Sequence, residues 1–281
     1  MNLPKISIIT PSYNQGQYLE ETILSVIDQD YKNMEYIIID GGSTDNSVDL
    51  IKKYEQHLTY WVSEKDTGQS EAINKGFKLA SGDIICWLNS DDILMPDSLN
   101  MIADCFEKNK DIMLINGNAV LIDEHSNILT DHFILKQKDW YAKKGIFYLS
   151  QPSMFWKRQI FDAVGYLKED FHASMDREFL IRIFKKGYNI GQMNKILAGF
   201  RIHSKSKSYK GSERIPYKRD LVELQKLYGD KYGSKPKIFY KLIYRLEKLY
   251  KGIYFQKWLF TRKWKGRNVN ELNSANCNYL K

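Results

Sequence analysis

The tetrapeptide Asn89-Ser90-Asp91-Asp92 follows the apolar run Asp83-Ile84-Ile85-Cys86-Trp87-Leu88, so two adjacent carboxylates stand where a buried strand would leave its sheet. Carboxylates in that position suit a hard divalent cation bound to a diphosphate. Such a cation commonly takes one or two protein carboxylates and completes its shell with phosphate oxygens and water. The same residues also read as a turn and a helix cap ahead of Pro96, the commoner use of an acidic pair before proline. A second acidic group, Asp176 and Glu178, opens a helical pattern, where the plain reading is compensation of the helix dipole. His203 stands among Arg201, Lys205 and Lys207, a setting in which an imidazole could face an anion.

The elements that would place these groups are legible as patterns. Up to about residue 105 the chain alternates β-rich runs at 6–10, 36–40, 59–63 and 84–88 with helical patterns at 18–29, 47–54 and 71–80. Leu19, Ile23, Val26 and Ile27 hold helical spacing in the first of these, and Ala72, Ile73, Phe77 and Leu79 in the third. Ser43, Thr44 and Asp45 are capping candidates for the helix between them. The alternation predicts a parallel α/β sheet with right-handed crossovers. Ligands bind beyond the carboxyl ends of such strands, which singles out the loops 11–16, 40–45, 64–69 and 89–92. From 106 to 210 the pattern predicts strands at 113–121, 153–156 and 191–202, a helix at 176–186, and a second lobe completing a cleft. Beyond Gly211, a helix over 216–228 is expected to stop at Gly229. Pro236 then opens another that carries Ile238, Leu242, Leu246, Leu249 and Ile253 on one stripe beside Lys237, Lys241, Arg245 and Lys248.

Composition bounds the answer. The chain has 281 residues, 43% hydrophobic and 14% aromatic, enough for a sizeable core. No apolar run reaches the roughly 18 residues of a spanning helix and the start lacks a signal-peptide pattern, so a cytoplasmic protein is expected. Cys86, Cys105 and Cys277 are odd in number and widely spaced, which indicates neither a disulfide framework nor a zinc site. The net charge of +8 suits nucleic acid, anionic lipid or a nucleotide alike. A Gly-rich phosphate loop and Gly-x-Gly-x-x-Gly are both absent, against a nucleotidyltransferase and a dinucleotide-dependent dehydrogenase respectively.

Three segments in order, Ile6-Ser7-Ile8-Ile9-Thr10-Pro11-Ser12-Tyr13-Asn14, Ile39-Asp40-Gly41-Gly42-Ser43-Thr44-Asp45 and Asn89-Ser90-Asp91-Asp92, resemble family 2 glycosyltransferases of the GT-A fold. The resemblance covers about residues 4 to 205. Glu64-Lys65-Asp66-Thr67-Gly68-Gln69 and Ala72-Ile73-Asn74-Lys75-Gly76 bring it closer to bacterial enzymes of O-antigen and capsular polysaccharide assembly. It implies an α/β chain with a Rossmann-like nucleotide-binding half at 1–105, an acceptor-binding half at 106–210 and a helical extension at 211–281. The implied activity is inverting transfer from a nucleotide-sugar, UDP-linked, to a saccharide or lipid-linked saccharide, with Mn2+ or Mg2+ as cofactor.

Carried over residue by residue, the resemblance assigns Thr10, Pro11, Tyr13 and Asn14 to the uracil and ribose, and Asp40 to the uracil imide. Asp66 is assigned to the base or ribose, with Gly68 allowing close approach, while Asp45 caps the next helix. Asp92 becomes the metal ligand, Asp91 meets the ribose or a metal-bound water, and His203 joins the metal or diphosphate. Asp176 becomes the general base that takes the acceptor proton, and Gln151, Pro152, Ser153 and Trp156 line the acceptor pocket. The chain departs from the family at three places: Asn89 replaces a commoner aspartate, Ile73 a basic residue that Lys75 could stand in for, and Met175 an acid. For the basic, aromatic tail two alternatives stay open: it lies on anionic lipid at the inner face of the plasma membrane, or it packs on the catalytic body or on a second subunit as a homodimer. No nucleic-acid partner is expected. The rival functions are a metal-dependent nucleotidyltransferase and a catalytically silent sugar-nucleotide fold that binds membrane through its tail.

Overall fold

The computed structural model describes residues 3–144, 146–147, 149–206, 215–232 and 238–273. Strands β1 (Ile6–Ser12), β2 (Met34–Asp40), β3 (Tyr60–Ser63) and β4 (Ile84–Trp87) are parallel, in the order β3-β2-β1-β4. Every residue of β1 is buried, the isoleucines Ile6, Ile8 and Ile9 in the core and the polar Ser7 and Thr10 with hydrogen bonds to Glu35 and Tyr36. Side chains alternate across the sheet, so Ile9 joins one core layer with Ile37, Phe77 and Trp87 while Ile8 joins the other with Leu19, Tyr36 and Ile38. Helices α1 (Gly16–Ile27), α2 (Ser47–Lys53) and α3 (Gln69–Leu79) connect the four strands as expected. Gly76 lets α3 lie directly on β1, since a Cβ there would come within 2.4 Å of Ile9 Cγ2.

After β4 the chain makes the excursion that builds the site. The two-residue β5 (Ile93–Leu94) leaves the neighbourhood of β4 and pairs antiparallel with β9 (Asn189–Arg201), at the far end of the same sheet. The strands between are β8 (Met154–Lys157), antiparallel to β4, and β6 (Ile112–Ile122), which pairs parallel with β9 through three register shifts. β7 (Ile128–His132) hangs on β6. Residues 88–92 therefore run across the carboxyl edge of the sheet and meet the end of β9.

The structure adds elements that the patterns did not indicate: β5, β7, α4 (Ser98–Lys108), α5 (Asp139–Lys143) and α6 (Ile160–Val164). The expected helix at 176–186 is α7 (Met175–Lys185). The expected helix at 216–228 lies in α8 (Ile215–Tyr232), and Gly229, at φ 63° and ψ −164°, breaks its helical geometry as predicted. The single stripe running to Ile253 is corrected: α9 (Ile238–Tyr250) ends before Gly252, whose φ of 67° is left-handed, and Ile253 starts α10 (Ile253–Trp264). Lys207, Lys235, Pro236, Lys237 and Cys277 lie outside the described residues. Among those described, Cys86 and Cys105 are free, and no helix is long and apolar enough to cross a membrane.

Candidate active site

Asp91 and Asp92 are neighbours with opposite assignments. The Asp92 carboxylate turns inward and is fully buried. Its Oδ1 accepts from Arg201 N at 2.9 Å and its Oδ2 from Asn89 Nδ2 at 3.1 Å. Burial, and then the charge of Asp91, hold its pKa well above the usual carboxylate range. Asp91 instead keeps 17% of its side chain exposed, with Oδ2 3.0 Å from His203 Nε2. In this conformation the Asp92 oxygens expected to hold a metal are occupied by protein donors, Asp91 keeps the more exposed carboxylate, and the His203 side chain is itself only 2% exposed with its Nε2 on Asp91. The His203 ring is itself held against Tyr18, with centroids 4.8 Å apart.

Beneath this pair lies a group that the sequence reading saw only as a neighbouring charge. Arg201 is 1% exposed and spends its guanidinium internally. It donates to Asp91 O (2.8 Å), Asp123 O (2.9 Å), Ser126 Oγ (2.9 Å) and Glu21 Oε2 (2.5 Å), and it sits over the Tyr18 ring. It fixes the backbone of the acidic loop from within the protein. Asn89 performs the same service on the other side. Its Nδ2 donates to Asp92 Oδ2 and to Gln151 Oε1 (3.0 Å), while its Oδ1 accepts from Gln69 Nε2 (2.8 Å).

At the end of β2, Asp40 is fully buried and its carboxylate accepts four hydrogen bonds, from Gly42 N, Ser43 N, Ser43 Oγ and Ser63 Oγ. It shapes its own loop and offers little to a base in this conformation. Asp66 lies against that loop, so close that a Cβ on Gly41 would be 2.6 Å from Asp66 Oδ2. Its Oδ1 accepts from Gly68 N (3.0 Å), and burial raises its pKa. Thr10 turns its hydroxyl to Tyr36 (3.2 Å) inside the core, and Pro11 is buried, so any contact from these two is through backbone. Tyr13 is 60% exposed. Asn14, at φ 51°, accepts from Thr44 N and receives Ser43 Oγ as the acceptor for its own N–H, which clasps the first two loops together. Asp45 accepts from Ser47 N and Oγ and from Gly16 N, but the cap position of α2 is Asn46, so Asp45 holds the first helical residue from one position further out.

Asp176 sits half-buried in the first turn of α7, with Oδ1 accepting from Arg177 N at 2.7 Å. Glu178 points the other way into the protein, paired with Arg182 and with the Tyr228 hydroxyl of α8. The start of α7 is held by a residue that the sequence reading did not single out. Asp220 of α8 accepts from Ala173 N (2.7 Å) and Ser174 N (2.8 Å). The expected acceptor-pocket residues are corrected. Trp156 is buried in an aromatic core with Trp87, Phe77 and Phe179 at 5.4–5.7 Å, Ser153 is buried on Gly117 O, and Gln151 is spent on Asn89 and Trp87 O. Ile73 is core and Lys75 pairs with Glu64. A cavity of about 620 Å³ lies between residues 167–171 and α8, lined by Lys168, Asp170, Arg219 and Asp220 among others; it is not at the Asp91–His203 pair. A smaller one, about 50 Å³, is lined by residues 67–71 with Glu169 and His172. The first residues of α3 join the acidic loop to the segment before α7: Gln69 bonds Asn89, and Ser70 Oγ donates to Phe171 O (3.2 Å).

A family model described as Glycosyl transferase family 2 matches residues 7–168. The glycosyltransferase MJ1057 of Methanocaldococcus jannaschii, itself uncharacterized, is 31% identical over 210 residues, covering 72% of each chain. TuaG of Bacillus subtilis, a glycosyltransferase named for teichuronic acid biosynthesis, is 30% identical over 214 residues, covering 72% of this chain and 81% of its own. An uncharacterized glycosyltransferase of Haemophilus influenzae is 36% identical over 130 residues, and there the match spans about half of the relative, 52%. Among solved structures, S. aureus TarS 1–349 in complex with UDP-GlcNAc superposes with a TM-score of 0.57 at 17% identity, over 79% of this chain and 66% of that one. The mannosyltransferase PcManGT of Pyrobaculum calidifontis, in complex with GDP-Man and Mn2+, gives 0.57 at 17% identity over 88% and 70%. At that identity the likeness establishes the fold, an α/β GT-A architecture with further helices at its C-terminal end.

Proposed function

The chain belongs to glycosyl transferase family 2 and is a glycosyltransferase, and from that premise we propose that it transfers a sugar from a UDP-linked donor to a saccharide, free or lipid-linked, with inversion, in the assembly of a cell-surface polysaccharide. TuaG supports the polysaccharide setting by its name. TarS with UDP-GlcNAc and PcManGT with GDP-Man support a nucleotide-sugar donor. The observation that carries the reading is the Asp91–His203 pair at the carboxyl edge of the sheet, joined through Gln69 and Ser70 to the start of the helix that bears Asp176.

The donor set fits a divalent cation. Asp91 Oδ2 and His203 Nε2, 3.0 Å apart, would be the protein's donors to that cation. Diphosphate oxygens and water would complete the shell. The oxygen donors suit Mn2+ and Mg2+ alike. When bound, the cation neutralises charge on the departing nucleoside diphosphate. The chain's own groups do the rest. Tyr13 offers an exposed ring for the base, and Asp66 a carboxylate beside Gly41 for the base or ribose. Asp176 accepts the proton of the acceptor hydroxyl as that oxygen attacks the anomeric carbon from the face opposite the diphosphate. A direct displacement of this kind needs no covalent sugar intermediate.

The test is nucleoside diphosphate release by purified protein across a panel of nucleotide sugars and saccharide acceptors, with Mn2+, Mg2+ or EDTA. Metal-dependent release from a UDP-sugar, lost in Asp176→Asn while UDP still binds, is the expected result. Failure to bind UDP in the presence of Mn2+ would sink the UDP-donor reading.

A further inference from the structure

Helix α9 turns its polar side inward. Tyr240 and Tyr244 lie on Trp140 and Tyr141, with centroids 6.4 and 5.4 Å apart. Glu247 accepts from Lys138 Nζ at 2.7 Å and from the Tyr141 hydroxyl, and Lys248 Nζ donates to Phe133 O at 2.9 Å. The aliphatic stripe Ile238, Leu242, Leu246 and Leu249 faces solvent instead, each residue between 52 and 87% exposed. On α10, Ile253, Phe260 and Trp264 are buried while Phe255 and Trp258 remain 62% and 53% exposed. A helix of a folded domain ordinarily gives its apolar stripe to the core. Contiguous exposed apolar surface of this kind marks a partner surface.

Charge decides which partner. The two helices carry six lysines and arginines against one acid, and that acid, Glu247, is already held by Lys138 and Tyr141. Lys241 and Arg245, both exposed, flank the aliphatic stripe. A second copy of the chain would bring like charges together, and a nucleic acid gains nothing from exposed leucines. An anionic bilayer accommodates both features, because cationic side chains meet headgroup phosphates while the apolar stripe enters the acyl boundary. We propose that α9 and α10 dock the protein on the surface of an anionic phospholipid bilayer, lying in the interface without crossing it.

The experiment is co-sedimentation of the full chain with vesicles of phosphatidylcholine alone or mixed with phosphatidylglycerol. The mixed vesicles are expected to take up the protein and the neutral ones to leave it in solution. Removing two cations in Lys241→Ala/Arg245→Ala weakens partitioning about 25-fold, at about fivefold per charge near an anionic surface. Leu242→Ser/Leu246→Ser abolishes it at constant charge. Both pairs are solvent-exposed, so the urea midpoint and nucleoside diphosphate release are expected to be unchanged, and lipid binding is read independently of sugar transfer. Equal partitioning onto both vesicle types, or onto neither, overturns the proposal. So does a change from dimer to monomer in the leucine variant with no vesicle binding in the parent, which would make a second copy the occupant.

Discussion

Replacing Asp220 by alanine tests whether the segment after residue 211 belongs to the catalytic unit. Asp220 is 2% exposed, and its Oδ2 is the acceptor for two consecutive backbone N–H groups, Ala173 and Ser174, at the entry to α7. Hydrogen bonds to a charged group are worth ~1.5–3 kcal/mol each, and loss of a helix cap costs ~0.5–2 kcal/mol. These overlap. The adjoining cavity of about 620 Å³ admits water to the freed groups, so the expected net loss is about 2–3 kcal/mol, within the range for hydrogen bonds to a charged group. Asp220→Asn keeps an acceptor oxygen without the charge and should lose about half of that, in line with the difference between charged and neutral hydrogen bonds. Urea unfolding measures both values. Activity follows the same geometry, because Asp176 comes two residues after Ser174. A loosened entry displaces the proposed base by the ångström-scale error that costs on the order of 100-fold in rate. In assays of nucleoside diphosphate release, kcat should fall while the donor KM holds, since the loops proposed to hold the nucleotide follow β1, β2 and β3. An unchanged urea midpoint in Asp220→Ala would refute the energetic argument. A lowered midpoint with intact kcat would refute the link from α8 to the base.

Three further outcomes are expected. Asp91→Asn should raise the Mn2+ concentration needed for half-maximal release at least tenfold with little change in stability, whereas Asp92→Ala should cost about 2–3 kcal/mol in urea unfolding, because Arg201 N and Asn89 Nδ2 lose their acceptor. The reverse pattern would restore Asp92 as the ligand. His132 on β7 has no partner on Nδ1, and burial, reinforced by Lys248 and Lys257, pushes its pKa down to about 4. The unfolded chain takes up that proton near pH 6.5 and the folded chain does not. Stability is therefore full above pH 6.5 and falls as pH drops towards 4, by at most about 3 kcal/mol. His132→Gln should flatten that limb, and parallel curves for the two proteins would exclude the assignment. Trp156→Ala removes the hub of the aromatic cluster and should cost about 3–5 kcal/mol with the KM for a saccharide acceptor unchanged; a selective rise in that KM would return Trp156 to the acceptor pocket.

The parallel half of the fold was readable because β1, β2 and β4, buried on both faces, each carry a cluster of isoleucines, and because the helices between them carry a 3.6-residue period. α4 had the same signal, with Leu99, Ile102, Ala103 and Phe106 on one face. Gly252 was equally visible as a break. What sequence could not show was pairing between distant segments. Only two residues of β5 meet β9, more than a hundred positions away, and that short contact decides which acid of the loop faces in. Asp91 and Asp92 are equivalent by type, and the turn between them points one outward and the other inward. Likewise Arg201, a cation near a suspected anion site, is claimed by carbonyls from two other loops.

The Asn89 departure from the family pattern finds its reason in the same contacts. The side chain at that position must donate to Asp92 Oδ2 and to Gln151 Oε1 while accepting from Gln69 Nε2. An amide does all three; a carboxylate has no hydrogen to give, and would set a third negative charge beside an acid that burial already makes reluctant to ionise. With Asn89 the loop keeps a single outward carboxylate, Asp91, and pairs it with His203. Under the proposed function the acidic motif is therefore one ligand, one internal anchor and one neutral clamp, and a cation bound there would depend more on the imidazole and on the donor's own phosphates than the row of acids in the sequence suggests.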